Sequence, residues 1–448
     1  MTLHPRSPGR SRRAAKRSGA QAASATRRRA SAKAGGAGRR RRSGQTRSPP
    51  VPRTTARRSR SIHDPIRAQE GRLASALLDW FASAQRTLPW RESYEPYAVW
   101  IAEMMLQQTQ VETVLPYYRR WMEQFPTVFA VARAPLEAVL KAWEGLGYYG
   151  RARHLHRTAQ ALVERHGGRL PDDLDALRAL PGVGPYTAGA IASIAFNRPV
   201  PLVDGNVARV LGRLHADQSQ AASAAGRASA WAAAGRLLEA ARAAGGQPRD
   251  FNQALMELGA LICRPRAPRC LLCPWRADCR ARLSGDPEAF PSRRARRTRP
   301  VRHGAMLIAQ ANARSGEPRW LIRRRPAQGI WGGLWEFPWA ERRSERESAE
   351  SLCAALLAES GGTAPRKNRF LPLGHVSHGL THFQLELDCL VLNVSSARAG
   401  RTAKGKDALE RNPAVRWVSR TEFEALPLAR LSHKALALLD RAAALQRN

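Results

Sequence analysis

Four cysteines crowd into seventeen residues, Cys263, Cys270, Cys273 and Cys279, with the spacing C-x6-C-x2-C-x5-C. Thiols this close in sequence are poorly placed for two disulfides and well placed for one metal centre. Zinc held by four cysteines usually arrives as two short knuckles. A single C-x2-C between longer arms instead suits a four-iron cluster, with zinc as the alternative. The loop between the first two cysteines carries Arg264, Arg266 and Arg269, which could meet phosphates or form a solvated charge run. Two carboxylates stand upstream. Glu103 lies among Ile101, Met104 and Met105, surroundings that favour its protonated form. Asp204, within Val203-Asp204-Gly205-Asn206-Val207, precedes a helical run carrying Val207, Val210 and Leu211, and reads either as an N-cap or as a carboxylate aimed into a cleft. Between them, Gly182 and Gly184 sit one residue apart, where the backbone can turn tightly and its amides can approach a phosphate.

The elements that must position these residues change in kind along the chain. Residues 68–262 read as helices: Leu73, Leu77, Trp80 and Phe81 recur at helical spacing, as do Val99, Ile101, Met104 and Met105. Turn signals separate them at 87–89, 145–147, 167–168 and 181–184. The Ala-rich stretch 219–245 suits a helix pair. The segment from Pro291 to Pro300, with five arginines and no acid, reads as a linker. Beyond it, 305–308 and 320–322 read as strands and 344–359 as a helix with Leu352, Cys353, Leu356 and Leu357 on one face. Phe383, Leu385 and Leu387 alternate, and Val415 and Trp417 mark a further strand. Cys353 and Cys389 fall on apolar faces and read as core residues. The expectation is a multidomain protein: an arm over 1–66, an all-α domain over 67–282, a linker over 283–300 and an α+β domain over 301–445.

The chain carries 74 Lys and Arg against 36 Asp and Glu, a net charge of +38. This points to a polyanion, nucleic acid first. Residues 1–60 hold nineteen of the basic residues and no acidic one. That stretch has too few large apolar residues to form a core and is expected to be a disordered, DNA-binding arm. An organellar transit peptide and a misplaced start codon are the alternatives. No apolar run is long enough for a membrane span.

The glycine hairpin, Asp204 and the four-cysteine loop, in this order, resemble the helix-hairpin-helix DNA glycosylase superfamily. More narrowly, the chain resembles the MutY family of adenine DNA glycosylases. The likeness rests on Leu88-Pro89-Trp90-Arg91, Glu103-Met104-Met105-Leu106-Gln107-Gln108-Thr109-Gln110, Gly145-Leu146-Gly147-Tyr148-Tyr149, Arg151-Ala152-Arg153 and Phe251-Asn252-Gln253-Ala254. It runs continuously from about residue 70 to 280. The Leu-Gln-Gln-Thr-Gln run is specific to it, whereas the cysteine loop is shared with endonuclease III.

The resemblance implies one 4Fe-4S cluster on the four cysteines and two carboxylates dividing the work of glycosidic cleavage. Glu103 would protonate adenine at N7 and later help to activate water. Asp204, assisted by Asn206, would stabilise the sugar cation. The adenine nucleotide would be flipped out of the duplex, with Gln107 and Tyr148 inserted near the opposite base. Trp90, Arg91 and Glu257 would line the adenine pocket, and the amides of Gly182 and Gly184 would grip a phosphate. Tyr186 occupies the place at which strand-cleaving relatives carry a Schiff-base lysine, so a monofunctional enzyme is expected, with Tyr186 beside Asp204. Ala208 stands where some relatives have a lysine that traps DNA.

Residues 301–440 resemble the Nudix-like C-terminal domain of the same family, through Arg323–Pro326 and Gly329–Pro338. Segment 344–361 lacks the glutamate-rich pattern of a Nudix hydrolase. Thr381 and His382 would recognise 8-oxoguanine, with Leu380 in place of the family's aromatic wedge. His375 and His378 nearby read as surface or packing residues. The implied partner is duplex DNA containing 8-oxoguanine:adenine or guanine:adenine mispairs. A monomer is implied, with no membrane association, in the bacterial nucleoid or in a eukaryotic nucleus or mitochondrion. The competing readings are an endonuclease III-like glycosylase and lyase on oxidised pyrimidines, and a non-catalytic iron–sulfur DNA-binding protein.

Overall fold

The computed structural model describes residues 65–292, 298–312, 317–362, 370–394 and 413–445. The arm expected over 1–66 lies outside the described residues except for Pro65 and Ile66, which open the first helix. Residues 293–297 of the expected linker also lie outside them.

The first part is helical: α1 (Pro65–Ala84), α2 (Pro96–Leu106), α3 (Val111–Gln124), α4 (Val128–Arg133), α5 (Leu136–Ala142), α6 (Gly150–His166), α7 (Leu174–Arg178), α8 (Pro185–Ala190), α9 (Gly205–Leu214), α10 (Ala224–Ala243), α11 (Pro248–Leu261) and α12 (Arg280–Leu283). α2 is the central element. Every residue from Tyr97 to Met105 is buried, so this helix is apolar all round, and Glu103 is its only charged residue. Proline at its first position suits a helix start, since the missing amide hydrogen has no partner there in any case. α8 passes without a break into a wider π turn, Ile191–Ala195. The Ala-rich stretch forms the single helix α10, not a pair. Ser223 caps it by accepting from the Gly226 amide at 3.0 Å, and Ala230, Ala233, Ala234, Leu237, Leu238 and Ala241 make one unbroken buried stripe.

The hairpin between α7 and α8 shows why its first glycine is a glycine. Gly182 has φ +76°, and a Cβ there would lie 2.4 Å from His154 Nδ1 on α6. Both the backbone conformation and the close approach exclude a side chain. Gly184 has φ −86° and caps α8.

The second part is a mixed sheet: β1 (Val301–Asn312), β2 (Pro318–Arg324), β3 (Trp335–Glu336), β4 (Trp339–Glu341), β5 (Leu371–Gly379), β6 (Gln384–Val394) and β7 (Val415–Val418). The order is β3-β2-β1-β6-β5, with β4 also paired to β1 and β7 to β2. Only β1 and β6 run parallel among these pairs, in register from Val301 opposite Gln384 to Ala311 opposite Val394. Both faces are covered. Ala305, Leu307 and Ala309 pack with α13 (Ala349–Glu359), in the same core as Cys353. Met306 and Ile308 face the opposite core with Cys389, Phe423 of α14 (Arg420–Ala425) and Leu431 of α15 (Arg430–Leu445). Two-sided burial turns β1 into a nearly continuous apolar run instead of an alternating one.

The helical and sheet parts dock through polar contacts around an apolar plug. Lys141 on α5 donates to the carbonyls of Glu424 (2.7 Å) and Leu426 (3.1 Å). Glu144 accepts from the Leu428 amide at 3.2 Å and pairs with His433. Leu334 joins the helical core, and Trp331 packs against both cores. Among the described residues, no helix is long and apolar enough to cross a membrane.

Candidate active site

Glu103 faces a cleft of about 510 Å³, inside the range usual for small-ligand sites. Asp204, Tyr186, Asn206, Trp90, Arg91 and Glu257 line the same cleft, so residues spread over about 170 positions of sequence converge there. Gln107, Tyr148 and the hairpin glycines do not line it.

The two carboxylates sit in different surroundings. Glu103 is 3% exposed, and its carboxylate accepts a hydrogen bond from the Tyr186 hydroxyl at 2.6 Å. Burial pushes Glu103 up to about 7, and the neighbouring Asp204 adds to this, against the pull of the Tyr186 hydrogen bond and the Arg91 charge. Asp204 caps α9: its Oδ1 accepts from the Val207 amide at 2.7 Å and its Oδ2 from Asn206 Nδ2 at 3.1 Å. Burial raises Asp204 too, but those amides and the Arg209 charge favour its ionised form. One cleft therefore holds an acid that keeps its proton to about neutral pH and a carboxylate supplied with donors to its anion.

Tyr186 lines the cleft with both carboxylates. Its hydroxyl bonds Glu103, with Asp204 near enough to act on it only through charge. The reason is tertiary: α8 packs against α2, which brings the phenol over the glutamate. Burial holds the phenol well above its usual pKa, so it stays a donor. That donation favours the ionised form of Glu103. Tyr186→Phe is therefore expected to raise Glu103 further and to move the alkaline fall of activity upward by roughly 0.5–1 pH unit. A pH–rate profile measures this, and a downward or absent shift would separate Tyr186 from the acid.

Glu257 is committed to two arginines. Arg86 binds it through Nε at 2.7 Å and Arg91 through Nη2 at 3.1 Å. Arg91 also donates to Gln253 Oε1 at 2.8 Å. These groups form the rigid wall of the cleft beside Trp90, whose ring meets Tyr118 edge-on. Arg86 carries no signal of its own in the sequence, and Gln253 only as part of the Phe251–Ala254 motif. Arg209 does: it follows Asn206 by three positions on α9, donates to Asn206 Oδ1 at 2.9 Å, and reaches the Cys263 carbonyl at 2.8 Å.

None of the four cysteines forms a disulfide. Buried Arg213 spans their loop, donating to the carbonyls of Arg264 (2.7 Å) and Pro265 (3.1 Å) and to Cys263 Sγ at 3.4 Å. Elsewhere, the Gln107 amide donates to Thr187 Oγ1 at 3.2 Å, while the Tyr148 side chain is half exposed. Thr381 and His382 are exposed in the turn between β5 and β6, and Leu380 is tucked against the sheet core. His375 pairs with Glu386 and Asp388 on the sheet surface, and His378 packs edge-on to Trp331 at 5.3 Å.

Residues 101–232 match the model of the HhH-GPD superfamily of base excision DNA repair proteins, and residues 309–438 match that of the NUDIX domain. The adenine DNA glycosylase of Rattus norvegicus is 36% identical over 396 residues, covering 78% of this chain and 74% of its own length. The chain belongs to the adenine DNA glycosylase family. Its human relative is 35% identical over 398 residues, covering 78% of this chain and 70% of its own. The relative from Mycolicibacterium smegmatis is 40% identical over 228 residues, covering 49% and 73%. Both carboxylates lie in the stretch matched by the superfamily model, and the turn bearing Thr381 and His382 lies in the NUDIX match.

Proposed function

We propose that this chain hydrolyses the N-glycosidic bond of adenine mispaired with 8-oxoguanine or guanine, leaving an unbroken strand with an abasic site. Glu103 carries the reading: a glutamic acid protonated to about pH 7, opening on the cleft it shares with Asp204. Adenine in a duplex is out of reach, so its nucleotide must flip into the cleft. There Glu103 gives its proton to N7, the bond from C1′ to the base breaks, and the electron pair leaves with neutral adenine. Asp204, held by Asn206 and the start of α9, faces the sugar cation. Glu103, now a carboxylate, takes a proton from the water whose oxygen bonds C1′. Tyr186 offers no amine for a Schiff base, so no strand break follows.

Trp90, Arg91 and Glu257 frame the base pocket. Gln107 and Tyr148 enter the stack, the hairpin amides of Gly182 and Gly184 hold a phosphate, and exposed Thr381 and His382 read 8-oxoguanine. Residues 67–282 act as the glycosylase domain, 283–300 as the linker and 301–445 as the domain for the opposite base. α13 contains only Glu350 and Glu359 among acidic residues, which favours recognition over Nudix hydrolysis. A monomer acting on DNA in the nucleoid, nucleus or mitochondrion follows from the same reading.

Cys263, Cys270, Cys273 and Cys279 fit one 4Fe-4S cluster. Burial pushes the Cys273 thiol up to about 12 and raises Cys270 and Cys279, and the neighbouring cysteines push each of the three higher. Such a group of thiols ionises only around a cation. The lone C-x2-C between longer arms favours iron–sulfur over zinc. Bound there, the cluster would tie the 263–279 loop together and present its arginines to phosphates. A broad blue-region absorbance band is expected in the purified protein and its loss in Cys273→Ser; a colourless protein carrying zinc would contradict this.

The function is tested by incubating the protein with an 8-oxoguanine:adenine duplex and, in parallel, an oxidised-pyrimidine duplex, each with and without later alkali. Breakage of the first duplex only after alkali is expected. Breakage of the second without alkali would point to the lyase, and no base loss from either to a non-catalytic DNA-binding protein.

A further inference from the structure

Arg151 on α6 is 7% exposed and does not line the cleft, yet its guanidinium makes a dense set of hydrogen bonds to the surrounding chain. Its Nη1 donates to the carbonyls of Met104 (3.0 Å), Met105 (2.7 Å) and Gln107 (2.6 Å). Its Nη2 donates to Thr109 Oγ1 (3.3 Å) and to the carbonyls of Leu146 (3.2 Å) and Gly147 (3.1 Å). No carboxylate is among these partners. The guanidinium also lies over the rings of Trp143 and Tyr148, at 5.2 and 5.6 Å.

The partners fall into two groups. Met104 to Gln107 form the last turn of α2, whose carbonyls lack helical partners and whose negative dipole end attracts a cation. Leu146 and Gly147 form the loop that leads into Tyr148. A guanidinium is a rigid planar fork, so acceptors on one amino group are fixed in distance and angle to acceptors on the other. Both joined segments hold a non-glycine residue in the left-handed region, Gln108 at φ 58° and Tyr148 at φ 49°. Such conformations persist where the surroundings over-determine them.

We propose that Arg151 is a positioning residue for nucleotide flipping, clamping the Gln107 and Tyr148 segments in one relation so that both side chains enter the base stack together. The inference rests on the proposed role of Gln107 and Tyr148 as the inserting pair. Lysine keeps the charge but, as a point donor on a flexible stem, cannot hold two groups of acceptors at fixed geometry.

The test compares full-length protein with Arg151→Lys and Arg151→Met on two duplexes. One carries adenine opposite 8-oxoguanine. The other carries adenine opposite an abasic analogue, where little unpairing is needed. Single-turnover excision from the paired duplex is expected to fall on the order of 10²-fold in both variants, since unpairing and unstacking are worth a few kcal/mol. Excision from the unpaired adenine should stay within about threefold of the parent. The ratio of the two rates, taken on one protein preparation, cancels any loss of folded enzyme. Fluorescence of 2-aminopurine at the target position reads flipping without chemistry: the parent should brighten it and the variants should not. Equal losses on both duplexes, no loss on either, or an unchanged fluorescence rise would each overturn the inference. If the parent releases no adenine, the functional reading fails separately, and the fluorescence comparison still decides the role of Arg151.

Discussion

Glu103→Gln is expected to abolish adenine excision while leaving duplex binding unchanged. The amide fills the same volume and still accepts from the Tyr186 hydroxyl, but it has no proton to give. Loss of a general acid costs on the order of 10²–10⁴ in rate. The same variant should be more stable than the parent at alkaline pH. Unfolded, Glu103 ionises near its ordinary 4.5; folded, near about 7. Between these values the unfolded chain releases a proton that the folded chain keeps, so stability falls as pH rises through that window and stays lower above it. Glutamine bears no such cost. The variant should therefore gain on the order of 3 kcal/mol above the folded pKa and nothing below the unfolded one. Melting at pH 4 and pH 8.5 checks this. An equal or lower midpoint for the variant at pH 8.5 would mean that Glu103 is not held protonated by burial.

Asp204→Asn separates two roles that coincide at one residue. Asparagine caps a helix about as well as aspartate, so α9 and its contacts with α11 should survive, and the melting midpoint should barely move. Excision should fall on the order of 10³-fold, because a neutral amide cannot stabilise the sugar cation. Asp204→Ala should lose the cap as well and cost about 1 kcal/mol of stability in addition. Single-turnover rates read beside the melting curves decide the matter. A lower midpoint with excision intact would reduce Asp204 to its capping role.

Both carboxylates are legible in the sequence because each breaks a local pattern. Glu103 is the only charge in an otherwise apolar α2, and Asp204 stands between an apolar stretch and a helix start. The cysteine loop is legible by spacing alone. What is not legible depends on which element packs over which. The hydroxyl of Tyr186 has two carboxylates nearby in the fold, and the contact of α8 with α2 decides for Glu103. Arg151 stands out in the sequence only as part of a motif, since its partners are main-chain carbonyls that leave no trace in residue types.

The fold shows the same division. α2 and α9 follow from apolar spacing and caps. The Ala-rich stretch suits a helix pair, yet α10 is one helix whose buried stripe continues past Gly235. β5, from Leu371 to Gly379, has little apolar alternation because it is an edge strand held by backbone pairing with β6. β1 hides its alternation by burying both faces.

The most direct measurement is the identity and pH dependence of the product from an 8-oxoguanine:adenine duplex under single-turnover conditions. Chromatography should find free adenine, and the strand should remain whole until alkali is added. The excision rate should fall about tenfold per pH unit above the folded pKa of Glu103, close to 7. A strand already broken before alkali, no free adenine, or a rate that climbs through neutral pH would contradict a buried, protonated Glu103 working opposite Asp204.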